Sequence, residues 1–370
     1  MTHDVAVIGT GPDPENPSVE GFAMGYRHGE SFSNHDACEV VACADIVPEN
    51  AAAFGRAFDL PDEHVFEDYE AMLRAVEPDI VTVAVPPAIH EPVVVDCAHS
   101  GVVDAVHCEK PMADTWGAAR RMTEACWRRD VQLTFNRQRR FGAPFRRARD
   151  LVADGEIGDL QRVETAWGDL YDTGAHTVDL TGMFAGEANP EWVIAQIDYR
   201  EEDVRFGMHQ ENQAWVRWEY DSGVTGVMST GSGDDLCDAA HRLAGTDGEI
   251  RIESDTGNML EIRRAGEESW TAVDVDGENM HGAGADDREY GSEFIDRAAA
   301  EVVAALEEGR ESELGARNGL KTAETVFAAY ESVRKRGRVD LPLEAEDNAF
   351  VDLVERGELG FDPADDDGED

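Results

Sequence analysis

Two short stretches of this chain carry side chains that can move a proton. Glu109-Lys110-Pro111 closes an apolar run, and Tyr171-Asp172-Thr173-Gly174-Ala175-His176 sets an acid and an imidazole four residues apart. On a helix that begins at Thr173, Asp172 and His176 lie one turn apart on one face, with Asp179 three residues beyond His176. An acid and an imidazole on one face suit a site that shuttles a proton near neutral pH. The same pattern also fits an ordinary helix start, with Asp172 as N-cap and His176 bonded to it. Lys110 points more firmly to chemistry. The chain has three lysines, Lys110, Lys321 and Lys335, so 29 of its 32 basic residues are arginine. An amine is a compact donor that can give up its proton, which a guanidinium cannot.

Five apolar runs in the first third are spaced to position such residues. They are Asp4–Ile8, Glu39–Ala44, Asp79–Val85, Ala105–Cys108 and Val131–Phe135, with helical patterns near 48–58, 67–76, 91–100 and 115–129 between them. Strands separated by helices of this length predict βαβ units and a doubly wound parallel sheet. Ligands bind such sheets at the carboxyl ends of the strands, and Gly9-Thr10-Gly11, Asp45, Pro86-Pro87 and Glu109-Lys110-Pro111 all stand at such ends. Gly9-x-Gly11 is a weak dinucleotide signal by itself, because Pro14 occupies the place of the third glycine. The stretch Pro12-Asp13-Pro14-Glu15-Asn16-Pro17 reads as an insertion in the phosphate-binding turn, with the helix starting near Gly25. Asp45 is placed to accept ribose hydroxyls and repel a 2′-phosphate, although a plain turn aspartate would look the same. Together with the strand order, these features favour NAD as cofactor, with NADP as the second choice.

The second half changes period. Leu160–Trp167, Trp192–Tyr199, Gln213–Tyr220, Val224–Ser229 and Gly248–Glu253 alternate apolar and polar residues between turn signals such as Asp221-Ser222-Gly223, which predicts a largely antiparallel sheet. Helices over Asp287–Leu306 and Ala316–Arg336 follow and are expected to pack back on the first domain.

Charge narrows the partners. The net charge is -47, with 79 acidic residues spread along the whole chain. A carboxylate shell nearly free of lysine fits a protein working in molar salt, where the Debye length is about 3 Å. It excludes nucleic acid and anionic membrane as partners. The start, Met1-Thr2-His3-Asp4, has no basic leader, and no run of 18 apolar residues occurs, so a cytoplasmic protein is expected. Six cysteines without a Cys-x-x-Cys pair fit reduced core residues and no metal site.

These residues carry a resemblance. The chain is similar to the glucose-fructose oxidoreductase / inositol dehydrogenase / rhizopine catabolism (Gfo/Idh/MocA) family of NAD(P)-dependent dehydrogenases. The matching elements are the Gly9-x-Gly11 strand, Asp45, Pro86-Pro87-Ala88-Ile89-His90, Glu109-Lys110-Pro111, Asn136 with Arg139-Arg140 and Pro144, and Asp172-x-x-x-His176. The resemblance spans about residues 4–340. It implies a Rossmann domain over 1–136 and a substrate-binding and oligomerising α/β domain over 137–343, while the acidic stretch over 344–370 reads by its composition as a solvated tail. It further implies cofactor contacts from Gly9, Gly11, Gly25, Asp45, Pro86, His90, Glu109, Pro111 and Asn136, with Glu109 approaching the nicotinamide ribose. A sugar or polyol substrate would meet Lys110, Arg139, Tyr171, Asp172 and His176, in a homo-oligomer of two or four subunits. Two departures stand out: 13 residues separate Gly11 from Gly25 where the family usually has two, and Ala88 replaces a common asparagine.

The implied chemistry is oxidation of a secondary alcohol, with Lys110 and His176 sharing the base and electrophile roles in either order and Asp172 beside them. Two other readings are a non-net-redox enzyme of the NAD-dependent glycoside hydrolase kind and a cofactor-binding regulatory sensor. Sensors tend to lose the lysine or the histidine, and this chain keeps both.

Overall fold

The computed structural model describes residues 2–14, 23–280 and 292–360. It divides into two compact units, the first made of residues 1–113, 118–138 and 287–320 and the second of 114–117, 139–286 and 321–370.

The first unit is built on a six-stranded sheet. Its strands are β1 (His3–Ile8), β2 (Cys38–Ala44), β3 (Val65–Phe66), β4 (Ile80–Val83), β5 (Ala105–Cys108) and β6 (Gln132–Phe135), in the order β3-β2-β1-β4-β5-β6. All neighbours are parallel, so every strand ends on the same edge. Val5 to Ile8, all of β4 and all of β5 are buried, as strands covered on both faces must be. The helices between them are α1 (Met24–Ser33), α2 (Pro48–Ala57), α3 (Tyr69–Val76), α4 (His90–Ser100) and α5 (Trp116–Arg129). Local signals fix their starts: Pro48 opens α2, and the Asp68 carboxylate accepts Glu70 N–H at 2.9 Å to cap α3.

The second unit carries a nine-stranded sheet flanked by α6 (Ala143–Ala153) and α7 (Gly174–Phe184). Its strands are β7 (Leu160–Ala166), β8 (Pro190–Asp198), β11 (Gln213–Tyr220), β12 (Thr225–Ser229), β13 (Ala239–Gly245), β14 (Gly248–Ser254), β15 (Leu260–Arg264), β16 (Thr271–Ala272) and β17 (Val339–Asp340). A small hairpin, β9 (Val204–Arg205) with β10 (Met208–His209), stands apart from it. The sheet order is β16-β15-β14-β13-β7-β12-β11-β8-β17, antiparallel except for the β7–β12 pair. In β11 Ala214, Val216, Trp218 and Tyr220 alternate inward, which is the period-two signature of a half-covered sheet.

Three elements bear on the sequence expectation. The first is α8 (Ser292–Glu308), which together with residues up to 320 belongs to the first unit, the domain on which a helix in this stretch is expected to pack. It packs on α1, Gln132 Nε2 donates to Val302 O at 2.9 Å, and Phe135 N–H donates to Leu314 O at 3.0 Å. The helix after it, α9 (Ala316–Lys335), follows the expected span. The second is α10 (Ala349–Glu355), inside the stretch expected to be solvated tail. Asn348 caps it, and Ala349, Phe350 and Leu353 are buried; the acidic residues around them masked an apolar face. The third is β13, whose small residues Ala239, Ala240 and Ala244 hid a central strand. The parts of the expectations that fall on 15–22, 281–291 and 361–370, including most of the insertion after Gly11, lie outside the described residues. All six cysteines are unpaired. Among the described residues no helix is long and apolar enough to cross a membrane.

Candidate active site

The site residues of the first unit follow directly from the strand ends. β1 stops at Gly9-Thr10-Gly11, where Gly9 (φ 83°) and Gly11 (φ 70°) take the left-handed conformation that glycine tolerates. Gly25, in the first turn of α1, lies against that turn: a Cβ on it would sit 2.6 Å from Gly9 O and Thr10 Cα. Gly25 thus supplies the close strand–helix approach of a dinucleotide fold, 11 residues later than the usual spacing places it. Asp45 ends β2 and braces the same turn. Its Oδ2 accepts Gly11 N–H at 3.0 Å and the Thr10 hydroxyl at 3.1 Å, while Oδ1 accepts Val47 N–H at 2.9 Å. Bare backbone at Gly9 and Gly11 and a carboxylate beside it fit a dinucleotide, with the pyrophosphate at the turn and the ribose at Asp45.

Pro86 is exposed after β4, whereas His90 is turned inward. Its ring nitrogens face Val85 O at 2.8 Å and Met112 O at 3.3 Å, and burial lowers its pKa. His90 therefore ties the β4 turn to the Glu-Lys-Pro turn through backbone carbonyls.

Glu109 is the centre of a buried polar cluster. Its Oε1 accepts from His28 Nε2 at 2.7 Å and Asn136 Nδ2 at 2.7 Å, and its Oε2 accepts Lys110 N–H at 3.0 Å. Burial raises its pKa, but the hydrogen bond and charge of His28, then Lys110 and Asn136, outweigh burial and hold it down at about 2. The other ring nitrogen of His28 is bonded to the Thr82 hydroxyl. Lys110 is half-buried, and the bond to the buried Pro111 is cis. His28 and Thr82 were not singled out in the sequence. His28 sits three residues after Gly25, and that spacing on α1 is the only signal that could have found it.

In the second unit α7 begins at Gly174 with Thr173 as its cap residue. Asp172 is half-buried just before it, Tyr171 is 4% exposed, and His176 is 3% exposed in the first turn. Asp172 is not the cap. Asp169, which sequence reading passed over, braces the turn before the helix: its Oδ1 accepts Asp172 N–H at 2.5 Å and Thr173 N–H at 3.0 Å, and its Oδ2 accepts the Thr173 hydroxyl at 3.0 Å. Of the two arginines at 139 and 140, Arg139 lies 4.0 Å over the Trp167 ring. Arg140 is buried and pairs with Asp179 at 2.5 and 2.9 Å and with Glu187 at 2.6 Å, which fixes α7 from behind.

Family models identify what this framework is. The model described as "Oxidoreductase family, NAD-binding Rossmann fold" matches residues 4–137, and "Oxidoreductase family, C-terminal alpha/beta domain" matches 150–341. The chain belongs to the Gfo/Idh/MocA oxidoreductase family. It is therefore an NAD-dependent oxidoreductase. Among curated relatives it is similar to D-apiose dehydrogenase of Paraburkholderia graminis, 27% identical over 358 residues that cover 86% of this chain and 88% of that one. It is also similar to inositol 2-dehydrogenase of Corynebacterium glutamicum, 32% identical over 145 residues, 38% of this chain and 42% of that one. Among solved structures, an inositol dehydrogenase homolog from Azotobacter vinelandii complexed with NADH and myo-inositol superposes with TM-score 0.72 at 20% identity, covering 92% of this chain and 98% of that one. An oxidoreductase from Agrobacterium radiobacter in complex with NAD+, L-tartaric acid and magnesium gives 0.74 at 21%, covering 92% and 98%. At these identities the structures speak for the fold.

Proposed function

We propose that this oxidoreductase oxidises a secondary alcohol of a sugar or polyol, with Lys110 and His176 as its proton-transfer and electrophilic pair and Asp172 beside them. The observation that carries this reading is the Glu109–Lys110 turn. It stands at the carboxyl end of β5, on the edge that also carries the dinucleotide turn, and His28 and Asn136 lock Glu109 so that its backbone partner Lys110 is held in place. The names of the relatives support the substrate class: D-apiose dehydrogenase, inositol 2-dehydrogenase and D-glucoside 3-dehydrogenase are all named for polyhydroxylated substrates. NAD, when bound, supplies the hydride acceptor. The chain must then take up the hydroxyl proton and stabilise charge on the oxygen. An imidazole accepts a proton near neutral pH, and an ammonium donates to the developing alkoxide. Asp172, half-buried one turn before His176, is suited to accept from a neighbouring hydroxyl.

The test is a screen of sugars and polyols for NADH formation in about 2–3 M KCl, which screens the net charge, followed by kinetics on Lys110→Ala, His176→Ala and the double variant. Each single should lower turnover by about 10²–10⁴-fold and leave NAD affinity near native. The double should lose far less than the product of the singles, because both groups serve one transition state. Near-native turnover of His176→Ala would reduce the histidine to a helix residue. Lost NAD binding in Lys110→Ala would make the lysine a cofactor anchor.

A further inference from the structure

A second buried carboxylate touches the same segment as Asp169. Glu211, just before β11, is 4% exposed and has no cation paired with it among the described residues. Its Oε1 accepts Leu170 N–H at 2.6 Å and the Thr230 hydroxyl at 2.7 Å; the Thr230 oxygen in turn accepts Ala214 N–H at 2.8 Å. Its Oε2 is buried with no hydrogen-bond partner among the described residues. The backbone runs alongside, with Gly231 N–H donating to Gly168 O at 2.9 Å. Asp169 thus holds Asp172 and Thr173 from within the segment, while Glu211 holds Leu170 from the sheet, 41 residues away in sequence. Burying two acids side by side is costly, and a neutral glutamine would satisfy the same two donors with less desolvation.

We propose that Glu211 is a positioning residue for the reaction: its carboxyl group ties the Leu170 backbone to β11 and β12, and so, with Asp169, fixes Asp172 and the first turn of α7 that presents His176. This rests on the reading of Asp172 and His176 given above.

The site also makes the tie sensitive to pH. Burial, then the Asp169 charge, pushes Glu211 up to about 7. The groups around it are Asp169, raised by burial and by Asp172, the Thr230 hydroxyl, and the buried Tyr330 hydroxyl of α9, whose surroundings include Glu211, Asp169 and Tyr171. Arg205, 3.5 Å from Asp169 and half exposed, is the nearby cation. With Oε1 engaged by two donors, the proton resides on Oε2. Below about 7 the carboxyl is neutral and the segment is held without repulsion from Asp169. Above it two buried charges face each other and the segment loosens.

Amide exchange of the 168–176 segment and steady-state kinetics of Glu211→Ala and Glu211→Gln, both in molar KCl, test this. In Glu211→Ala the Leu170, Asp172 and Thr173 amides should exchange faster. Turnover should fall by about 10²-fold, the cost of a small misplacement, with NAD affinity unchanged. Glu211→Gln should restore turnover to within a few-fold of native. It should also remove the extra rise in exchange that wild type shows between pH 6 and 8. Unchanged exchange, or faster exchange with native turnover, overturns the proposal, as does a Gln variant as impaired as the Ala one. If the Ala variant does not fold, identical exchange–pH curves for Gln and wild type overturn it. A wild type inactive on every sugar and polyol would instead sink the functional reading, since the exchange rates judge Glu211 without any substrate.

Discussion

In the parallel sheet of the first unit, backbone geometry places the candidate residues. Gly9, Asp45, Glu109 and Asn136 are each the first or second residue after a strand, and parallel strands must all end on one edge. In the second unit the Tyr171–His176 segment follows a strand only loosely, and side chains brought from far away in sequence hold it: Glu211, Thr230, Arg140 and, nearer, Asp169. The first arrangement tolerates changes in side chains but not in backbone clearance. The second tolerates backbone variation but not the loss of a buried polar partner.

The largest effect should therefore come from breaking a buried pair in the second unit. Arg140 and Asp179 are both about 1% exposed in their side chains. Arg140→Met leaves Asp179 buried without its main partner and should destabilise the protein by about 3–5 kcal/mol. Thermal melts in molar KCl measure this. Arg140→Met/Asp179→Leu should recover most of the loss, because it removes the stranded charge as well. A double variant no better than the single would mean that Arg140 acts through Glu187 instead.

The matching break in the first unit is Gly25→Ala. The new Cβ would lie 2.6 Å from Gly9 O and Thr10 Cα, which are backbone atoms that cannot swing aside. Overpacking of this kind costs about 1–3 kcal/mol. Here it falls on the glycine turn, so NAD affinity should weaken about tenfold or more while the second unit is unaffected. Titration of NAD by fluorescence reads it, and native affinity would separate the turn from the cofactor.

This difference decides what the sequence could reveal. Strand ends are local patterns, so the parallel sheet, Gly9-x-Gly11, Asp45 and Glu109-Lys110 were readable from runs of apolar residues and the turns after them. His28 was not, because its partner Glu109 is 81 residues away and only the fold brings α1 against β5. In the second unit Asp172-x-x-x-His176 was visible as spacing. The residue that braces the turn into the helix is Asp169, and nothing in a one-dimensional pattern ranks Asp169 above Asp172. Glu211 looked like one carboxylate among 79 in the sequence. A dense acidic surface hides a buried acid as effectively as it hid the apolar face of α10.

A smaller effect should come from Asp45, which combines the two modes, since it is a side chain that braces a backbone turn. On the proposed cofactor site its charge repels a 2′-phosphate, so NAD should be preferred to NADP. Asp45→Asn removes the charge and costs one of the three N–H and O–H contacts that its oxygens accept. NAD should weaken a few-fold and the NAD-over-NADP ratio should drop about tenfold. A ratio that stays constant while both affinities fall would leave Asp45 as a brace alone.

The gentlest test uses a feature that the two units share. Each sheet buries a histidine cross-strand from a threonine: His107 in β5 with Thr134 in β6 at 2.9 Å, and His241 in β13 with Thr165 in β7 at 3.2 Å. Burial is the main cause that lowers both to about 3, with His28 adding to it at His107 and Arg139 at His241. In the unfolded chain an ordinary histidine takes up a proton at about 6.5. The folded protein does not, so the stability that these residues allow above pH 6.5 is lost as pH falls toward 3. Replacing one of them by a neutral residue should flatten that loss without changing stability at pH 8. The units differ in what replacement disturbs. The His107 ring lies tilted 5.2 Å from that of His28, a partner of Glu109, whereas His241 packs edge-on against Phe145 and Phe184. His241→Gln should thus change only the acid limb of the melting-temperature curve, whereas His107→Gln should also weaken NAD binding through the His28–Glu109 pair. Equal effects of the two on NAD affinity would show that the Glu109 cluster is not tuned through its neighbours.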